Sequence, residues 1–300
     1  MIQSKMIQIE IPHIINVGQL LQFLTSYRGV YKNKIITLDF INYHFVKPFH
    51  ITPLACLVEE LKLTNNVVYY ENMTPAVRSY LTTVGFMSLF EQDADLSFIQ
   101  PGVLFEGATY VKLWKIDAEQ IDAYISSTIN FFRNNNLTGK NLDALNISLS
   151  EDFNNIIDHS ESLVSGYAVT QYYPNKEELM ISICDFGIGI PTKINNFEAE
   201  SGRQRLSDKE AMRLALTLGF STKSTPRNKG FGLSTVIDCV KSLNSGIKII
   251  SNEAIYMIDN QGDEYTLCTE QNFLGTMIVI TLNTKNLPLD EDFVEMETYL

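Results

Sequence analysis

Apolar and polar positions along the first ninety residues switch between two periods. Over residues 5–11 they alternate, with Ile7, Ile9 and Ile11 on one side, as in a half-buried strand. Over 17–27, Leu20, Leu21 and Leu24 recur at helical spacing, and 34–40 (KIITLDF) reads as a buried strand. Residues 52–63 predict a helix with Leu54, Leu57, Val58 and Leu61 along one stripe, and 67–70 a short strand. Pro75 sits where a first-turn proline belongs, so 76–83 completes a helix before Gly85. Strand and helix alternating in this way predict a small α/β layer domain over residues 1–100.

The pattern loosens over 91–116, where Pro101 and Gly102 mark a boundary and 109–116 (TYVKLWKI) reads as a strand. Ile121, Ile125, Ile129 and Phe132 then predict an amphipathic helix ending near 134–136. After the polar run NNNLTGKN, Leu142, Leu145, Leu149, Phe153 and Ile156 share the face of a second helix. An apolar strand over 179–184, a helix carrying Leu233, Val236, Ile237 and Val240, and a final strand over 277–282 follow. Residues 101–300 therefore form a second α/β unit, expected as a sandwich of helices on a mixed, mostly antiparallel sheet.

Charge narrows the function. The chain carries 23 basic and 35 acidic residues, a net charge of −12, so nucleic acid and anionic lipid repel it; neither is expected as a partner. No run approaches the roughly 18 apolar residues of a membrane span, and the start lacks the apolar core of a signal peptide. Cys56, Cys184, Cys239 and Cys268 are scattered without a CxxC, which argues against structural zinc and against a disulfide framework. A cytoplasmic address fits these features. Residues 290–297 hold five carboxylates and no basic residue, the composition of a solvated tail.

Three short patterns carry chemistry. The first is SEDFNNIIDH, 150–159, where Glu151, Asn155 and His159 lie four apart on one helix face. An Asn oxygen is a hard ligand suited to Mg²⁺, and Glu can deprotonate a water or hydroxyl. Alone, such a pair is more often a solvated surface. His159 fits a phosphate contact and helix packing equally well. The second is ICDFGIGIP, 183–191, where an apolar strand delivers Asp185 into a turn with Gly187 and Gly189. Glycine lets backbone approach a ligand closely, and a carboxylate can accept a hydrogen bond from an amino group.

The third pattern is GFSTKSTPRNKGFGLSTV, 219–236, where Gly230 and Gly232 open an apolar helix. A glycine turn at a helix N-terminus presents N–H groups and a positive dipole end to phosphate. Lys223, Arg227 and Lys229 add charge beside it. Residues 192–230 contain eight basic and four acidic residues, while the remainder holds fifteen and thirty-one. A local positive excess in an acidic chain points to an anion. Gly275-Thr276 opens the final strand and means nothing by itself.

The order of these parts resembles the N, G1, G2 and G3 boxes of the GHKL ATPases, the superfamily of DNA gyrase and the histidine kinases. The resemblance covers about residues 140–283. It implies ATP and Mg²⁺ as cofactors, with Glu151 as general base and Asn155 as the Mg²⁺ ligand. It also implies that Asp185 binds the adenine amino group, with Gly187 and Gly189 against the base. Lys223, Gly230, Phe231, Gly232 and Leu233 would surround the phosphates, Thr276 would bond near Asp185 through water, and 192–229 would be an ATP lid. Residues 34–49 and 80–86 resemble the STAS-like modules of anti-sigma-factor antagonists. The acceptor serine of that family is missing: Phe45-Val46-Lys47-Pro48-Phe49-His50 stands in its place, and Thr52 is the nearest hydroxyl.

None of His13, His44, His50 and His159 falls on the helix predicted over 121–134, which disfavours a histidine kinase. Some 17 residues follow Asn283, too few for the transducer domain of a gyrase. The remaining resemblance is to the ATP-binding modules of anti-sigma-factor serine kinases. It implies an ATPase or serine/threonine kinase acting on a regulatory protein partner, engaged through the STAS-like domain, and leaves room for a homodimer. The alternative is a non-catalytic switch in which ATP orders a docking surface.

Overall fold

The computed structural model of the chain describes residues 6–44, 46–90, 108–116, 121–143, 145–146, 149–150, 164–217, 232–259 and 261–290. It begins with β1 (Met6–Glu10), α1 (Val17–Tyr27), β2 (Ile35–Asp39), α2 (Pro48–Leu63), β3 (Val67–Glu71) and α3 (Pro75–Thr83). The three strands pair in parallel in the order β1-β2-β3. Right-handed crossovers in an order that never reverses place α1 and α2 on the same face of this sheet. Asn16 caps α1 by accepting from the Gln19 N–H (3.0 Å). Leu20, Leu21, Phe23 and Leu24 are the residues that α1 buries.

The second unit contains β4 (Tyr110–Ile116), α4 (Ile121–Asn135), β5 (Gly166–Tyr173), β6 (Glu178–Asp185), α5 (Ile190–Glu200), α6 (Asp208–Ala215), α7 (Gly232–Ser242), β7 (Gly246–Ile258) and β8 (Glu264–Asn283). Its five strands run β4-β5-β6-β8-β7, and every described pairing is antiparallel. The mixed sheet expected from sequence is corrected to this antiparallel one. Gly275-Thr276 lies inside β8, which begins eleven residues earlier than the glycine, at Glu264. The pattern read over 277–282 is only the buried half of a long strand.

Strand alternation separates two cores. Leu179, Ile181 and Ile183 of β6 and Ile278, Ile280 and Leu282 of β8 pack with residues of α4, α5, α6 and α7. The opposite residues, Cys184 and Met277 among them, pack with α1 and α2. The molecule is therefore layered as three-stranded sheet, helices α1 and α2, five-stranded sheet, then helices α4 to α7.

This layering explains α2. It lies between two sheets, so a single stripe of the kind expected from Leu54, Leu57, Val58 and Leu61 is not enough. Thr52, Ala55, Cys56 and Glu59 are buried as well, as expected for a helix enclosed on all sides. Each fully buried aliphatic side chain contributes about 1.5–3 kcal/mol. Polar contacts fix the register across the layers. Thr52 Oγ1 meets Ser182 Oγ at 2.8 Å. The Cys56 thiol donates to the Cys184 carbonyl (3.4 Å). Glu59 accepts from the Ser165 N–H (3.2 Å) and pairs with Lys115 (2.7 Å). The helix also begins at Pro48, four residues before the expected Thr52.

Residues 192–217 are mostly helix, with a short connection over 201–207. Pro191 and the Ser207–Glu210 capping box start α5 and α6, and Ile194, Ala211 and Met212 enter the core. The first half of the segment expected as one long lid is thus packed helix. Its second half, 218–231, lies outside the described residues. Among the described residues no helix is long and apolar enough to cross a membrane.

Candidate functional site

The site is built at the end of β6. That strand is central, held by β5 on one side and β8 on the other. Asp185 is its last residue and continues the Leu179, Ile181, Ile183 face toward the helices. Its side chain is 1% exposed. Oδ1 accepts from the Gly187 N–H at 2.6 Å, whereas Oδ2 is buried with no hydrogen-bond partner. Burial pushes the carboxyl up to about 7, against the pull of the Gly187 amide, the Arg28 guanidinium and the Thr276 amide. A buried carboxylate oxygen without a donor is costly, and a ligand amino group would supply one.

Three elements shape the turn after Asp185. Gly189 has φ +84°, and a Cβ there would stand 2.3 Å from Asn252 Oδ1 and 2.8 Å from Ser251 Oγ. Gly275 has φ +137°, and a Cβ there would stand 2.2 Å from the Asp185 carbonyl oxygen. Both positions require glycine. Ser251 Oγ accepts from the Ile190 N–H (2.8 Å), donates to the Gly275 carbonyl (2.6 Å) and lies 3.3 Å from Thr276 Oγ1. Asn252 accepts from the Thr192 N–H (3.4 Å) and donates to the Ile188 carbonyl (3.3 Å). The β7–β8 register shifts at Ser251 and Asn252, and Asn252 has φ +50°. This bulge aims both side chains at the turn.

The expected site residues therefore fall into three groups. Asp185, Gly187, Gly189 and Thr276 come together, with Asp185 and Thr276 directly opposite in the ladder. Gly232 and Leu233 open α7. The Leu233 side chain is 6% exposed and belongs to the core, which leaves its backbone amide in the first turn as the group a phosphate would meet. Glu151, Asn155, His159, Lys223, Gly230 and Phe231 lie outside the described residues. Ser251 and Asn252 were not anticipated. Their only sequence signal is an S-N pair interrupting an apolar strand, which says nothing of a turn sixty residues earlier.

Two further candidates are settled by position. Thr52, the hydroxyl nearest the missing acceptor serine, is fully buried against Ser182 and is inaccessible to a kinase in the folded chain. A cavity of about 620 Å³ lies on the other face of the five-stranded sheet, where Lys47 and Phe49 of the N-terminal unit face Met180, Lys248 and Val279. It is not the place where the expected nucleotide residues converge. Among the described residues no group of three or more His, Cys, Asp or Glu is arranged to hold a metal ion. No family model matches the chain, and no curated protein matches it.

Proposed function

We propose that this chain is an ATP-binding regulatory protein whose adenine-reading group is Asp185. The observation that carries the reading is the buried Oδ2 of Asp185, without a hydrogen-bond partner, beside a turn in which Gly189 has no room for a side chain. In this reading it accepts from the adenine amino group, Gly187 and Gly189 lie against the base, and Thr276 completes the contact. The amides opening α7 and the cations Lys223, Arg227 and Lys229 hold phosphates. Asn155 holds Mg²⁺ and Glu151 acts as base, making the protein a cytoplasmic GHKL-class ATPase or serine/threonine kinase with a STAS-like N-terminal unit. A non-catalytic ATP switch stands beside it. The intimate packing of the N-terminal unit on the back of the site favours that second reading, because nucleotide and docking would then share one sheet.

Calorimetric titration with Mg-ATP, compared with Mg-GTP, tests the proposal. Micromolar ATP affinity, about −8 kcal/mol, is expected for the wild type. Asp185→Asn should lose about 1–3 kcal/mol of it. No binding by the wild type, or equal affinity in the variant, would remove Asp185 as adenine reader. Turnover that falls about 10²–10⁴-fold in Glu151→Ala supports the enzyme, and its absence in the wild type leaves the switch.

A further inference from the structure

We propose that Arg28 is a positioning residue through which the N-terminal unit sets the affinity of the Asp185 site. The inference rests on the nucleotide reading above and adds regulation to it. Arg28 follows α1 directly, and its backbone N–H donates to the Leu24 carbonyl (3.0 Å). From there its side chain crosses to the five-stranded sheet. The guanidinium carbon stands 3.6 Å from the centroid of the Phe186 ring and 5.6 Å from that of Phe273. Nη1 donates to the Leu274 carbonyl, and Nε lies 3.6 Å from Glu60 Oε1 of α2.

Those contacts are placed around the site from behind. Phe186 follows Asp185, and strand alternation turns it to the opposite face, into the core shared with α1 and α2. Leu274 precedes Gly275, which packs on the Asp185 backbone, and Thr276, whose amide acts on the carboxylate. One side chain therefore holds both chain segments that form the cradle of Asp185. The cradle has no slack: a Cβ on Gly275 would lie 2.2 Å from the Asp185 carbonyl oxygen. A shift of Phe186 or Leu274 is thus passed to the carboxylate, as expected in a close-packed interior. The charge acts in the same sense, since the Arg28 guanidinium opposes the effect of burial on Asp185. Burying a guanidinium between units is unfavourable unless it is stacked and paired. Here the cation is stacked on a ring face and Nη1 is hydrogen-bonded, while Glu60 approaches Nε only to 3.6 Å and leaves it without a hydrogen bond.

By linkage, whatever docks the N-terminal unit more firmly tightens ATP, and ATP tightens the docking by the same factor. A partner protein that pulls on α1 would loosen the nucleotide without touching its site.

The test is a cycle on the full chain, reading ATP affinity by calorimetry for wild type, Arg28→Met, Asp185→Asn and the double variant. Arg28→Met is expected to weaken ATP about tenfold, the loss of a desolvated cation–ring contact and a charged hydrogen bond. It should also reduce the preference for ATP over GTP. On the Asp185→Asn background the same change should cost less than about twofold, because the two act through one contact. A purely structural arginine would instead lower the unfolding temperature and leave ATP affinity and base preference unchanged. That result overturns the proposal, as do independent, multiplicative losses in the double variant. Where Arg28→Met does not fold, Arg28→Lys keeps charge and stem but loses the planar stack, and a severalfold weakening is expected; wild-type affinity there also overturns it. Failure of the wild type to bind ATP removes the nucleotide reading itself. Normal binding by the wild type with no effect at Arg28 removes only this inference.

Discussion

The two sheets of this protein differ in how many faces they bury. The three-stranded sheet covers one face with α1 and α2, and on the other, among the described residues, Met6, Val67 and Tyr69 are exposed while Thr37 and Asp39 are buried. Gln8 and Asn72 reach Asp39 across that open face. The five-stranded sheet is covered on both faces, by α1 and α2 on one side and α4 to α7 on the other. A sheet covered twice has no polar face to spare, so β6 reads LMISIC, nearly unbroken, whereas β1 reads MIQIE. The lesson is that the N-terminal unit is not an appendage to the second unit. It forms the wall that makes the second sheet's back face a core.

The most severe way to break this contrast is deletion. A chain limited to 101–300 exposes Tyr167, Val169, Cys184, Phe186 and Met277 together. It should aggregate or bind a hydrophobic dye strongly, as measured by light scattering and dye fluorescence; a monomeric, cooperatively unfolding fragment would contradict it. Gly275→Ala comes next. The added methyl meets the Asp185 carbonyl and an unfavourable φ, so denaturant unfolding should show about 2–4 kcal/mol of lost stability; less than 0.5 would mean the turn can yield.

An effect at the upper end of that range is expected from pH. Because burial raises Asp185 to about 7 without ligand, its contribution to stability is full below about pH 4 and is lost as pH rises through 7. Relative to Asp185→Asn, the wild type should therefore lose stability between pH 4 and 7, by roughly 1.4 kcal/mol per pKa unit shifted. Parallel pH curves for the two proteins would refute the raised value. Smallest of all, Tyr69→Thr on the open face should change stability by less than about 0.5 kcal/mol. A larger change in thermal unfolding would show that this face is covered in solution.

The sequence made local things legible. The alternation at Ile7, Ile9 and Ile11, the helical spacing of Leu20, Leu21 and Leu24, and the glycines after Asp185 each depend on neighbours a few residues away. What escaped depends on distance. The burial of α2 follows from β5 and β6, which begin more than a hundred residues after it ends, so Thr52, Cys56 and Glu59 gave no hint of it. Ser251 and Asn252 act on a turn some sixty residues upstream. Residues 192–217 read as part of a lid because Asn195, Asn196, Gly202 and the many basic residues offer little core, yet Ser207 with Glu210 was a readable helix start. Arg28 carries no local signal, because Phe186, the ring beneath it, lies more than 150 residues along the chain.

A helix shared by two sheets has a consequence during biosynthesis. When α2 leaves the ribosome its first sheet is nearly complete, but β6, against which Thr52 and Cys56 pack, ends at Asp185. At about 5–20 residues per second, the roughly 120 intervening residues take on the order of 6–24 s. For that interval the nascent chain carries an apolar helix with one side unserved, a surface that a holding chaperone is built to recognise.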